Sequence, residues 1–141
     1  MPSLLLEATQ KLLTTITTTL AITTATHAAD WNCVTGGGPG HNGLRQIHSD
    51  FNRLWGNPRL TIGSGQCLAA TCRGLTFGVC NDASYTQTEV SNHRNIAKDT
   101  DPGNGGSCAM NVDRVYHAYL KYVFAREDQL YWRPNTMNRR C

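Results

Sequence analysis

This chain is poor in the features that would assign it quickly. No run reaches the roughly 18 apolar residues that a membrane-crossing helix needs. No Asn-x-Ser/Thr sequon occurs, so N-glycosylation is not expected. There is no Cys-x-x-Cys redox pair and no His-x3-5-His, His-Glu-x-x-His or Gly-x-Ser-x-Gly motif. Glycines crowd residues 36–40, but no Gly-Lys-Ser/Thr follows them, which excludes a phosphate loop. The formal net charge is only +3, too mild for a nucleic-acid partner, which needs a clustered basic patch. The densest basic spot, Arg133, Arg139 and Arg140, reads as a solvated tail.

Basic residues are also scarce at the start. Only Lys11 and Glu7 are charged before Asp30, and no arginine precedes Arg45. Residues 12–25 mix Leu, Ile and Ala with many threonines, and Thr26-His27-Ala28 places small residues around a cut after Ala28. That layout predicts a secretory signal peptide over 1–28. The lack of arginine and the presence of Glu7 argue against a mitochondrial presequence. Residues 29–141 then form a single disulfide-rich domain, and all six cysteines fall within it. An export route is oxidising, so Cys33, Cys67, Cys72, Cys80, Cys108 and Cys141 are expected in three bridges, of which 15 pairings are possible.

Periodicity places the elements. Residues 30–42 read as loop, because glycine and proline make regular structure costly there. Leu44, Ile47, Phe51 and Leu54 recur at helical spacing, which predicts a helix over 43–55 with Asn42 as its cap and Gly56 and Pro58 as its stop. Residues 66–72 and 75–80 read as two strands linked tightly by Arg73-Gly74, with Leu75, Phe77 and Val79 on one face. A second helix is expected over 89–99, with Ile96 and Ala97 facing the core beside Val90 or His93. Residues 112–124 fit a helix and a hairpin equally. The tail 133–141 reads as irregular and tied down by Cys141.

Candidate chemistry is thin. Cys67 and Cys72 have zinc-like spacing, but no second close pair completes a site, and none of the residues is assigned to a metal or cofactor. His48, His93, His117, Glu89 and Arg94 are the residue types a small ribonuclease would use. Nothing in their spacing brings them together, and scattered surface histidines are the simpler reading, so no catalytic residue is assigned. Aromatics cluster late. Tyr116, Tyr119, Tyr122, Tyr131 and Trp132 are candidates for a partner-binding surface.

The order of these parts resembles small cysteine-rich secreted proteins of filamentous fungi, of the necrosis-inducing-effector and killer-toxin-like type. The similarity rests on the leader, the early Cys33, the helix ending in Trp55, "GQCLAATCRGLTFGVCND", "VSNHRNIAKDT", "RVYHAYLKYVFARED" and the closing Cys141. The chain departs from that pattern at "DPGNGG" and in lacking a turn glycine within "VYHAYLKYVF". The resemblance implies an α+β fold: a small disulfide-stabilised α/β sandwich, with an antiparallel sheet and two helices on one face. In that setting Cys67, Cys72 and Cys80 would anchor the sheet to the segments around it. It further implies a monomeric, non-enzymatic effector in the host apoplast that binds a host plant protein or receptor, without nucleic acid or membrane insertion. A killer-type antimicrobial toxin and a small secreted ribonuclease are the competing readings.

Overall fold

The computed structural model describes residues 29–129 and 135–141. The leader assigned to 1–28 and the candidates Tyr131 and Trp132 lie outside the described residues. The first element is a short strand β1 (Asn32–Thr35), followed by helix α1 (Gly40–Trp55) and strand β2 (Thr61–Ile62). Strands β3 (Cys67–Cys72) and β4 (Leu75–Asn81) come next, then β5 (Gln87–Thr88) and helix α2 (His93–Asp99). The chain continues with β6 (Gly106–Met110), β7 (Leu120–Arg126), a single 3-10 turn (Glu127–Gln129) and β8 (Thr136–Arg140). Six strands form one sheet in the order β1-β6-β7-β4-β3-β8, and β2 pairs with β5 in a small second sheet.

Hydrophobic burial sets this layout. Leu44, Ile47 and Phe51 lie on one stripe of α1 and are wholly buried against β3 and β4. Each contributes on the order of 1.5–3 kcal/mol by leaving water. On the sheet they meet Phe77 and Val79 of β4 and Tyr122 and Phe124 of β7. Phe77 is the hub: its ring lies 5.3 Å edge-on from Phe51 and 5.8 Å from Tyr122. Trp31 closes one side, donating its indole N–H to the carbonyls of Ala97 and Thr100 at 3.1 and 3.0 Å. Ala97 of α2 joins the same core, and α2 packs against α1.

The β3–β4 hairpin turns on two residues. Arg73 and Gly74 have φ of 53° and 73°, the twin positive angles that a type I′ turn requires. This register places Cys67 directly opposite Cys80, and the two are bonded to each other. They therefore clamp their own hairpin and do not reach surrounding segments, contrary to the expectation for this cluster. Cys72 does reach out: it holds Cys141, whose N–H donates to the Thr71 carbonyl. Cys33 bonds Cys108 across the β1–β6 pair. No cysteine is free.

The structure corrects several further expectations. The sheet is mixed, because β8 runs parallel to β3 while the other pairs are antiparallel. Residues 32–35 and 136–140 are edge strands, since tertiary pairing outweighs their polar composition. Helix α1 begins at Gly40 after Pro39, with no side-chain cap, so Asn42 lies inside the helix. At the far end Gly56 takes φ 90° and returns its N–H to the Asn52 carbonyl. Helix α2 starts at His93, because Glu89 is drawn into the interior, and it buries Arg94 and Ala97 in place of Ile96 and Ala97. Residues 112–124 are neither one helix nor a hairpin: 111–119 form a loop between the antiparallel strands β6 and β7. No helix among the described residues is long and apolar enough to cross a membrane.

Non-reducing peptide mapping is expected to return the pairs Cys33–Cys108, Cys67–Cys80 and Cys72–Cys141. Denaturant unfolding of paired Cys→Ser variants should rank the bridges by the chain each one closes. The Cys33–Cys108 and Cys72–Cys141 bridges span 75 and 69 residues and should each cost about 4 kcal/mol to remove. The Cys67–Cys80 bridge spans 13, and its loss should cost about 3 kcal/mol.

Candidate functional site

Below α2 lies a fully buried ion pair. The Arg94 guanidinium donates to both oxygens of Glu89, from Nε to Oε2 at 2.9 Å and from Nη2 to Oε1 at 2.6 Å. Its Nη1 donates to Asn52 Oδ1 at 2.7 Å and to the Gly56 carbonyl at 2.6 Å, both near the end of α1. The Tyr122 hydroxyl donates to Glu89 Oε2 at 2.6 Å, and the backbone N–H groups of Arg59 and Leu60 reach Oε1. Phe51 lies under the guanidinium, 4.8 Å away. Burial pushes the Glu89 carboxyl up, but the hydrogen bonds from Arg94 and Tyr122 more than offset it and hold it below its ordinary value. Burial and the Glu89 carboxylate together push the Tyr122 phenol well up.

Two of the ribonuclease-type residues are thereby accounted for. Glu89 and Arg94 are inaccessible and bound to each other, so neither faces a substrate. Tyr122 is also buried, at 2% exposure, which corrects its assignment to a partner-binding surface. Its ring stacks on Phe77 and its hydroxyl serves Glu89. His48 is not a surface residue either. It sits buried on α1, edge-on to Phe77, with no hydrogen-bond partner for Nε2 among the described residues. Burial, aided by Lys98 and Arg94, lowers its pKa to about 4, so it is neutral in the folded protein. Asp50 stands beside Cys72 and Cys141, but sulfurs bonded to one another are not thiolate ligands.

Of the remaining candidates, Tyr116, Tyr119 and His117 lie on the 111–119 loop. Tyr116 is 84% exposed, Val115 78% and Tyr119 51%. Their exposure is not slackness, because Asp113 builds the turn that presents them. Its Oδ1 accepts the backbone N–H groups of Val115 and Tyr116, each at 3.0 Å. Its Oδ2 meets His117 Nδ1 at 3.1 Å. Asn111 spans the base of the loop, donating from Nδ2 to the Ala118 carbonyl. The hydrogen bonds from Tyr116 and His117 hold the Asp113 carboxyl below its usual range. His93, the first residue of α2, meets His117 edge-on with ring centres 5.6 Å apart. Partial burial and the neighbouring His117 lower the His93 pKa. A groove of about 430 Å³ opens beside the loop, lined in part by Asn111, Arg114, Ala118 and Lys121.

Asp113, Val115 and Asn111 went unmarked in the sequence. The sequence held only a weak signal: an aspartate side chain can capture backbone N–H groups two residues on, and Asp113 of "DRVY" does so.

Two outcomes follow for stability. Glu89→Gln strands a buried guanidinium and should cost about 3–5 kcal/mol in urea unfolding. Replacing both partners by apolar residues, as in Glu89→Leu with Arg94→Met, should cost less than that single change. Acid should also weaken the fold. His48 titrates at 6.5 when unfolded and about 4 when folded, so between those values the unfolded chain binds more protons and stability falls as pH falls. The loss from this group should approach about 3 kcal/mol by pH 4, and His48→Leu should flatten that part of the profile. The Glu89 carboxyl, also lowered, adds a loss of the same sign at more acidic pH.

Comparison of the chain with known protein families, with curated proteins and with solved structures returns no match.

Proposed function

We propose that this protein is a secreted effector that acts by binding a host component through the 111–119 loop. The observation that carries this reading is the turn built by Asp113, which holds Val115 and Tyr116 out in solvent, with Tyr119 exposed at the end of the same loop. Aromatic residues fixed in place lose little freedom on binding, and such residues dominate interface energies. Three disulfides support a working place outside the cell. The resemblance to cysteine-rich fungal effectors supplies the setting, a host plant protein or receptor met in the apoplast. In this reading the domain works as a monomer and performs no chemistry on its target.

Leaf infiltration of the oxidised protein tests the proposal. A response confined to some host genotypes is expected. Tyr116→Ala combined with Tyr119→Ala should raise the dose for half response by roughly tenfold or more, while the melting temperature stays close to that of the parent, as for surface substitutions in general. A response that is uniform across genotypes and joined to growth inhibition of competing fungi would favour a killer-type toxin. RNA cleavage abolished by His117→Ala would overturn the binding reading in favour of a ribonuclease.

A further inference from the structure

We infer that His93 and His117 form a binding site for a borderline transition-metal ion, zinc or copper(II), with Asp113 orienting His117. The fold brings these two imidazoles together from separate elements, the start of α2 and the 111–119 loop. Both rings are partly exposed, so an ion reaches them without any opening of the core.

Distance decides what the pair can hold. Zinc sits about 2.0–2.1 Å from an imidazole nitrogen, and the ring centre lies about 1.1 Å further back. Two imidazoles at a tetrahedral angle on one ion therefore have centres about 5.2 Å apart. The observed 5.6 Å lies within a few tenths of an ångström of this, and because the rings meet edge to face at 90°, the ring presented face-on must also turn about its side-chain bonds to bring a nitrogen onto the ion. A phosphate hydrogen-bonded between two imidazoles would need their centres roughly 7 Å apart or more. The spacing thus favours a shared ion over a phosphate ester, and separates this site from the ribonuclease reading.

The hydrogen bonds of the pair leave ring nitrogens available to an ion. Asp113 Oδ2 engages His117 Nδ1, which keeps the proton on that atom and leaves Nε2 with a free lone pair. A carboxylate behind a ligating histidine is the usual support for a metal-bound imidazole. Asp113 is itself fixed by the two backbone N–H groups of its turn, so the support is rigid. His93 makes no side-chain hydrogen bond to another described residue, and neither of its nitrogens is committed elsewhere by one. Imidazole ligands suit zinc and copper(II) over the hard ions calcium and magnesium. Two protein ligands leave the other coordination positions to water. The ion would tie α2 to the loop that bears Tyr116 and Tyr119, but its binding does not depend on the proposed host interaction.

Calorimetric titration of the oxidised protein with zinc chloride tests the inference, alongside NMR of the imidazole nitrogens. One ion per chain is expected, with the His93 and His117 signals moving together. His93→Ala and His117→Ala should each weaken binding by roughly tenfold or more, and Asp113→Asn by roughly 10- to 100-fold. The asparagine is informative because its amide oxygen still accepts the Val115 and Tyr116 N–H groups. Its amide NH₂, facing Nδ1, instead turns His117 to the tautomer protonated at Nε2. An unchanged circular dichroism spectrum would show that the turn survives. His41→Ala, a partly buried histidine on α1, should leave binding unaltered. Absence of saturable zinc uptake, uptake retained when both His93 and His117 are replaced, or uptake lost in His41→Ala would overturn the assignment.

Discussion

The Glu89–Arg94 pair is the interaction on which the helical layer depends. Two opposite charges removed from water are tolerable only when nearly all their hydrogen-bonding capacity is met. Here the guanidinium has four protein hydrogen bonds and the carboxylate accepts from Arg94, Tyr122 and two backbone N–H groups. Those partners come from the end of α1, the segment before β2, α2 and β7. The pair fixes where β5 stops and α2 begins, and it seats Arg94 over Phe51. Hydrophobic burial holds α1 to the sheet, but this polar knot specifies how α2 sits against both.

Around that knot the molecule divides its labour by residue type. The inner sheet face is aromatic and aliphatic, centred on Phe77. The bridges operate between neighbouring strands, or between a strand and the chain end, and supply the constraint that a small core lacks. The exposed chemistry is concentrated on 111–119, where one carboxylate shapes a turn, orients His117 and displays two tyrosines. The loop's order therefore comes from hydrogen bonds within it together with one from outside, the Asp82 N–H donating to the Tyr119 carbonyl, and its exposed side chains remain available to a partner.

The parts of this fold that repeat at a fixed period were readable in the sequence. The α1 stripe of Leu44, Ile47 and Phe51 follows from helical spacing. The β3–β4 hairpin follows from two apolar strands around Arg73-Gly74. Once that turn is placed, counting outward from Cys72↔Leu75 sets Cys67 against Cys80, so one bridge was implicit in the register. The edge strands β1 and β8 were not readable, because their residues are polar and only pairing makes them strands. Tyr122 and Tyr119 look alike in sequence, yet one is buried against Phe77 and the other exposed; Tyr122 lies within β7, paired on both sides by β4 and β6, whereas Tyr119 is the last residue of the loop before that strand. The meeting of His93 with His117 is likewise tertiary, since nothing between them has a repeating pattern.

The two edge strands of the sheet, β1 and β8, are each fastened near a disulfide. Cys33 binds β1 to β6, and Cys141, one residue past β8, binds to the end of β3. Proteases cut chain that can be drawn out into an extended, unpaired form, and edge strands are ordinarily the first to supply it. In this sheet neither edge can be peeled away while its bridge is intact. For cleavage that starts from these two edges, resistance then depends on the redox state of the surroundings as well as on the depth of the core.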